Sequence, residues 1–340
     1  MYYWLAYYGD CLWFIRTKEG CMKDVIRWGI IGCGNVCERK SGPPLYELTQ
    51  CRLQAVTRRD TAKGRDFAQR HGPCIYEPSI EALLARDDLD AIYVASPDAQ
   101  HHAHTLEAAA SGRHVLVEKA MASNTAECNE MITACESAGV LLSVAYYRRC
   151  YPSILAAKEL LDQGLLGEVK ELWINDQFPT SHRIDLAHFL LGDVAQLRVT
   201  EGRLPPDSHA ASGQILETQH LGGARCTMNS EWRENHDIEK LVIDGSEARL
   251  VIDDLKAGRM WLVKGWSAEP RHQSPLPWTH QGLMAAVSDH FLGRGPNPCS
   301  GEEGRKSTVI LDSIAQAAAD PGDQWRQVDY RRASSSDQRS

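Results

Sequence analysis

A strand that runs straight into two glycines restricts this chain more than any other feature. VIRWGIIG (25–32) leads into Gly32-Cys33-Gly34-Asn35-Val36-Cys37. Gly32 permits a tight turn, Gly34 lets a backbone approach a pyrophosphate, and the free amides and dipole of a following helix stabilise that anion. Alone, such a turn is weak evidence. Here it opens a repeated β/α series, the context that a dinucleotide fingerprint requires. Cys37 stands where the third glycine would be, so helix and strand are expected to pack slightly further apart.

The series continues with strand RLQAVTRR, a helix, PCIYEP, helix IEALLARDD and strand AIYVASP. Helix HAHTLEAAASG leads to strand HVLVEK, and helix NTAECNEMITACESAG to strand VLLSVAYY, with Gly112 and Gly139 at C-terminal cap positions. Short apolar strands between amphipathic helices predict a doubly wound parallel sheet, whose ligands bind at the carboxyl ends of the strands. After Pro152 the pattern changes. One helix, SILAAKELLDQG, precedes EVKELWIND, ILETQHL, ARCTMNSEW, IEKLVIDG, ARLVIDD and MWLVKGW, and helical THQGLMAAVSDHFLGRG and STVILDSIAQAA follow. This half reads as α+β on a largely antiparallel open sheet. The expected division is an extension over 1–21, a Rossmann domain over 22–145, a substrate-binding and oligomerisation domain over 146–328, and a disordered tail over 329–340.

A length of 340 residues with 43% hydrophobic residues suits two cores. The net charge of −8 argues against a nucleic-acid groove or an anionic membrane as partner and leaves a small molecule. Eleven cysteines form no CxxC pair beyond scattered positions, so reduced, mostly buried thiols and a cytoplasmic setting are expected, with no metal. The first fourteen positions hold seven aromatics, against 7% in the whole chain. That segment reads as a non-native or misassigned extension; an amphipathic membrane anchor is the alternative, because Gly9 and Asp10 cut the apolar run short of a span.

At the end of the second strand stand Arg58 and Arg59, where an NAD enzyme would place an acid on the adenosine ribose. Two guanidiniums favour a 2′-phosphate, hence NADP over NAD, although Asp60 could serve the ribose and the arginines could be solvated. Strand AIYVASP ends in Ser96 and Pro97, and HVLVEK ends in Glu118 and Lys119, all at the carboxyl edge. A lysine beside the nicotinamide can bind a substrate hydroxyl and help relay its proton; by position alone it could equally be a solvated cap. Arg149, at the sixth strand's end, could reach substrate or cofactor or pair at the surface.

WGIIGCGNV, AVTRRD, YVASPDAQHHAHTLEAAASGRHVLVEKAMASNTAEC and VAYYRRCYP together resemble the glucose-fructose oxidoreductase / inositol dehydrogenase / rhizopine catabolism (Gfo/Idh/MocA) family. The resemblance implies hydride transfer between nicotinamide and a hydroxyl or carbonyl of a sugar, polyol or related small molecule. It also implies a homo-oligomer, dimer or tetramer. Lys119 corresponds to the active-site lysine of the family's E-K-P motif, with Ala120 replacing its proline, and His101 to the histidine of the T-P-x-x-x-H loop. Of the second catalytic motif, His182 and Asp185 match. The aspartate four positions before the histidine is Phe178 here, and the preceding glycine-rich turn is missing. An imidazole without that carboxylate loses a partner that would orient it and stabilise its charge. His182 could also simply cap or pack. The expected enzyme therefore has a rival, a cofactor-binding protein with impaired or no catalysis that serves as sensor, scaffold or degenerate paralogue. A poorly folding, truncated or misannotated product is a third reading.

Overall fold

The computed structural model describes residues 24–72, 74–175, 180–201, 214–229, 239–319 and 324–332. The aromatic extension, the segment with Asp176, Phe178 and Pro179, and the last eight residues of the polar tail lie outside them. The first sheet consists of β1 (Ile26–Ile31), β2 (Cys51–Thr57), β3 (Ile75–Glu77), β4 (Ala91–Val94), β5 (His114–Val117) and β6 (Leu142–Val144). Its order is β3-β2-β1-β4-β5-β6 and every pairing is parallel. Strands of such a sheet are covered on both faces, which explains why all four residues of β4 are buried.

Register then decides where function can collect. Thr57, Ile31, Val94, Val117 and Val144 lie in one row across five strands. The residues immediately after that row are Arg58, Gly32, Ala95, Glu118 and Ala145. Five loops thus spring from a single line, with the strand order reversing between β1 and β4.

The helices of this half are α1 (Pro44–Glu47), α2 (Thr61–Arg70), α3 (Ile80–Leu84), α4 (His101–Ala110) and α5 (Thr125–Ala138). Asp60, Ser79 and Asn124 each cap a following helix through the side chain, and Gly139 closes α5 in the left-handed region at φ 68°. The helix after the phosphate loop departs from expectation. Residues Cys37–Ser41 form a wide π turn closed by the Gly42 amide on the Cys37 carbonyl, and Pro44 restarts the chain as the short α1. Two consecutive prolines supply no amide to carry an unbroken helix across this point.

The second sheet has nine strands: β7 (Val169–Asn175), β8 (Val194–Glu201), β9 (Gln214–His220), β10 (Arg225–Asn229), β11 (Lys240–Gly245), β12 (Arg249–Asp254), β13 (Arg259–Lys264), β14 (Ser267–His272) and β15 (Arg326–Gln327). Only β7 and β10 pair in parallel; the rest is antiparallel, as expected. Leu172, Ile174, Leu241, Ile243, Leu250 and Ile252 are buried on one face while Trp173 is 45% exposed on the other. Helices α6 (Pro152–Asp162), α7 (Thr180–Leu191), α8 (Gln281–Phe291) and α9 (Gly301–Ala319) complete the chain.

Two of these helices return to the first sheet. Buried Trp28 of β1 donates to Ser288 of α8 at 3.3 Å and packs on Phe291, and Ser143 bridges to Ser300. At Gly304 a Cβ would meet Val144 at 2.4 Å, so a glycine is what lets α9 lie against β6. That contact accounts for a helix beginning earlier than its apolar periodicity suggests. Among the described residues no helix is long and apolar enough to cross a membrane.

Candidate active site

A groove of about 940 Å³ runs along the common row of strand ends. Gly32, at φ 90°, lies where a Cβ would stand 2.7 Å from Ser96 Cα, so only glycine lets the loops after β1 and β4 meet. Gly34 faces open space, with nothing nearer to its Cβ position than the Gly32 carbonyl at 3.8 Å. That is the backbone cradle a pyrophosphate needs. Asn35 and Val36 continue the wall. Cys33 contributes its backbone: the side chain is buried, burial pushes its thiol up to about 12, and its carbonyl accepts from Arg58 Nη1 at 2.9 Å. All nine described cysteines are free, and eight of them are buried.

Arg58 is thereby folded across the phosphate loop while Arg59 is exposed beside it, and both line the groove. Asp60 has another task. Its carboxylate accepts from the Lys63 amide at 3.1 Å and lies 3.3 Å from the Lys63 ammonium, contacts that hold it below the usual carboxylate range. Ser96 and Pro97 form the opposite wall, with the Ser96 hydroxyl 2.9 Å from His104 Nδ1. His101 is fully buried rather than on the groove surface. Its ring nitrogens lie 2.9 Å from the Ser96 carbonyl and 2.8 Å from the Ala120 carbonyl, tying together the loops after β4 and β5.

Where Val36, Ala95 and Ser96 end the groove, a second cavity of about 360 Å³ begins, sharing those three residues. Lys119 and His182 both line it. So do Lys40, Glu118, Arg148, Glu239, Lys256 and His280, of which the sequence reading singled out only Glu118 for function. The Lys119–Ala120 peptide bond is cis.

The electrostatics separate into a satisfied layer and an unsatisfied one. Glu118 is buried, and burial alone would raise its carboxyl. His280 Nε2 at 3.3 Å, the Tyr93 hydroxyl at 2.5 Å and the Lys119 charge outweigh that and bring it to about 2. Arg148 and Glu239 form a buried pair at 2.8 Å, joined by Lys256 at 3.5 Å. The Tyr147 ring lies between two imidazoles, 4.1 Å from His280 and 4.7 Å from His182 between centroids. His182 is 3% exposed, and its Nδ1 has no hydrogen-bond partner among the described residues. Burial first, then the charges of Arg148 and Lys119, push it well below the ordinary imidazole value, so the ring is neutral at pH 7 and able to accept a proton.

The other two residues of the expected constellation face elsewhere. Asp185 is fully buried; both its oxygens accept from Arg149 Nε at 3.0 Å and Oδ1 forms an ion pair with Nη2 at 2.7 Å, with the Arg149 guanidinium 5.2 Å from the Phe189 ring centroid. Neither lines the groove or the cavity. Burial pushes the Asp185 carboxyl up to about 6 against the opposing Arg149 charge, and the pair ties α7 to the segment after β6.

Comparisons with known proteins bear on the family and the fold. Residues 26–146 match the family model described as an oxidoreductase family with an NAD-binding Rossmann fold. Oxidoreductase P35 of Formosa agariphila is 30% identical over 320 residues, which cover 86% of this chain and 98% of that one. The chain belongs to the Gfo/Idh/MocA oxidoreductase family. A second relative of this NAD(P)-dependent hydride-transferring family, the dTDP-3,4-didehydro-2,6-dideoxy-alpha-D-glucose 3-reductase of Streptomyces antibioticus, is 31% identical over 57% of this chain and 61% of its own. The fold is shared with the WlbA dehydrogenase of Bordetella pertussis, solved with NADH and UDP-GlcNAcA. That match has a TM-score of 0.76 at 20% identity and covers 91% of this chain and 99% of that one.

Proposed function

We propose that this Gfo/Idh/MocA member is an active, NADP-preferring dehydrogenase or reductase of a sugar, polyol or related hydroxyl or carbonyl compound. One observation carries the reading: Lys119 and His182, far apart in sequence, line one small cavity that opens into the dinucleotide groove. Gly32, Gly34, Asn35, Val36 and Ser96 would hold the dinucleotide, which when bound supplies the hydride donor or acceptor. Lys119 donates a hydrogen bond to the reacting oxygen and favours its developing negative charge. Neutral His182 takes the hydroxyl proton in oxidation and returns it in reduction. Glu118, held by Tyr93 and His280, keeps a fixed negative charge beside Lys119.

NADP is favoured because Arg58 and Arg59 flank the groove while Asp60, the one acid placed to serve a ribose, is spent on capping α2. A cytoplasmic setting suits a chain whose described cysteines are all free. A homo-oligomer is supported by a row across the open face of the second sheet, Trp173, Val242, Val251 and Trp261, in adjacent register. Replacing Trp173 with Asp is expected to lower the mass measured by light scattering, and an unchanged mass would place the interface elsewhere.

The test of the central reading is consumption of NADPH or NADP+ against a panel of aldoses, ketoses, polyols and their oxidised forms, with cofactor affinity measured separately by calorimetry. Turnover of at least one member is expected. Tight cofactor binding with no turnover across the panel would support the sensor or scaffold reading instead.

A further inference from the structure

Among its described residues, the second cavity holds more positive charge than an uncharged substrate requires. Lys40, Lys119, Arg148 and Lys256 face three carboxylates, and those carboxylates are largely committed. Glu118 is engaged by Tyr93 and His280, Glu239 by Arg148 and Lys256, and Asp98 is exposed on the rim. Among the described residues neither Lys40 nor Lys119 has a carboxylate within ion-pair distance. The Lys40 ammonium lies instead over the Tyr147 ring, 5.8 Å from its centroid. Half-buried, it faces the charges of Lys256, Lys119 and Arg148, with Glu118 the opposing neighbour.

A cation withdrawn from water among other cations costs free energy until an anion joins it. The dinucleotide's phosphates do not supply that anion, because Lys40 lines the second cavity and not the groove. Lys119 is occupied by the reacting oxygen. We infer that the substrate is a sugar acid, whose carboxylate is received by Lys40 while its reacting hydroxyl or carbonyl lies at Lys119 and His182. With Lys119 taken by the reacting oxygen, Lys40 is the lysine left to receive an anion among the described residues of the cavity, and one carboxylate matches its single charge. The inference rests on the reading that this cavity holds the substrate, and it adds Lys40 as a residue that sets specificity.

The experiment uses the full chain with NADP+ bound and compares D-glucuronate with D-glucose, D-galacturonate with D-galactose, and D-glucose 6-phosphate with both acids. kcat/KM is expected to favour each acid over its neutral counterpart by about 10- to 100-fold, the worth of one charge-assisted hydrogen bond. Lys40→Met should bring that ratio towards unity by raising KM for the acid, and Lys40→Arg should keep most of it. Calorimetric titration of the acids into the NADP+-loaded protein separates this inference from the one it rests on. Acids that bind through Lys40 while no member of the panel is turned over leave the anion site standing and sink the dehydrogenase reading. Neutral sugars turned over as well as acids, a preference for the 6-phosphate, or an acid preference unchanged in Lys40→Met would overturn the inference while the dehydrogenase stands. No binding of any acid would overturn it too.

Discussion

The dinucleotide groove and the substrate cavity share a wall at Val36, Ala95 and Ser96, but they are assembled by different rules. The groove takes its lining from loops that follow successive strands of one parallel sheet, and register alone brings Gly32, Arg58 and Ala95 to a common line. The cavity draws on the phosphate-loop turn, the end of β5, the segment after β6, α7, Glu239, the β12–β13 turn and the start of α8. Charges in the groove are solvated, serve as caps or, at Arg58, bond to the backbone of the phosphate loop. Those of Glu118, Arg148, His182, Glu239 and His280 in the cavity are buried, and Lys40 is half-buried, so each is paired, held neutral or open to a ligand. Groove substitutions should therefore act on cofactor binding, and cavity substitutions on substrate binding, turnover or folding.

The largest effect is expected at Lys119. Lys119→Ala should lower kcat by up to about 10⁴-fold, the upper range for one positioned proton-handling group, while NADPH affinity measured by calorimetry stays within a few-fold. Unchanged turnover would show that the cavity is not where chemistry occurs. Behind the cavity, Asp185→Ala leaves a buried guanidinium uncompensated and should cost about 3–5 kcal/mol of stability in denaturant unfolding. If that variant instead folds normally and loses turnover, Asp185 acts on the reaction and the brace assigned to it is wrong.

The same difference explains what could be read from the sequence. Gly32, Gly34, Ser96 and Glu118 were legible because each lies within three residues of a strand's carboxyl end in a repeating series, and local order there implies spatial order. His280 sits in a Thr-His-Gln run before an apolar helix, and nothing local shows that its ring meets Glu118, 162 positions away. Glu239 and Lys256 are equally silent, since their meaning lies in the fold of the second sheet around Arg148. Arg149 and Asp185 each stood in a motif position, but motif spacing says nothing of which way a side chain turns. In the fold, β8 alternates Leu197 and Val199 with polar residues and was open to recognition. By contrast β14, Ser-Ala-Glu-Pro-Arg-His, is a polar edge strand whose proline its edge position tolerates.

On the groove side the expected effect is smaller and confined to one cofactor. Removing both guanidiniums in Arg58→Ala, Arg59→Ala should weaken NADP by about 10- to 100-fold and NAD far less, because only NADP carries the 2′-phosphate. Calorimetry with both dinucleotides decides it. Equal losses would mean that Arg58 acts through its bond to the Cys33 carbonyl, supporting the phosphate loop and not reading the phosphate.

The smallest effect per step concerns the cavity's neutral imidazole. His182 is held well below the ordinary imidazole value, by burial first and neighbouring cations second, while in the unfolded chain it titrates near about 6.5. Between those two values the unfolded state binds a proton that the folded state refuses, so stability falls as pH falls. His188, buried and lowered to about 4, adds a second contribution of the same sign. Each imidazole contributes a slope of about 1.4 kcal/mol per pH unit once pH is well below 6.5 and above its folded value. Glu118, already at about 2, keeps its stabilising charge through this window and adds no slope above the carboxylate range. Asp185, raised to about 6, opposes this below pH 6, while the lowered His104 and His220 add to it, so unfolding in urea between pH 7 and pH 5 should show a net decline in stability that His182→Gln flattens by one proton's worth. A variant with the wild-type slope would mean that His182 is protonated in the folded cavity, and an imidazolium there could not serve as the base that accepts the substrate's proton.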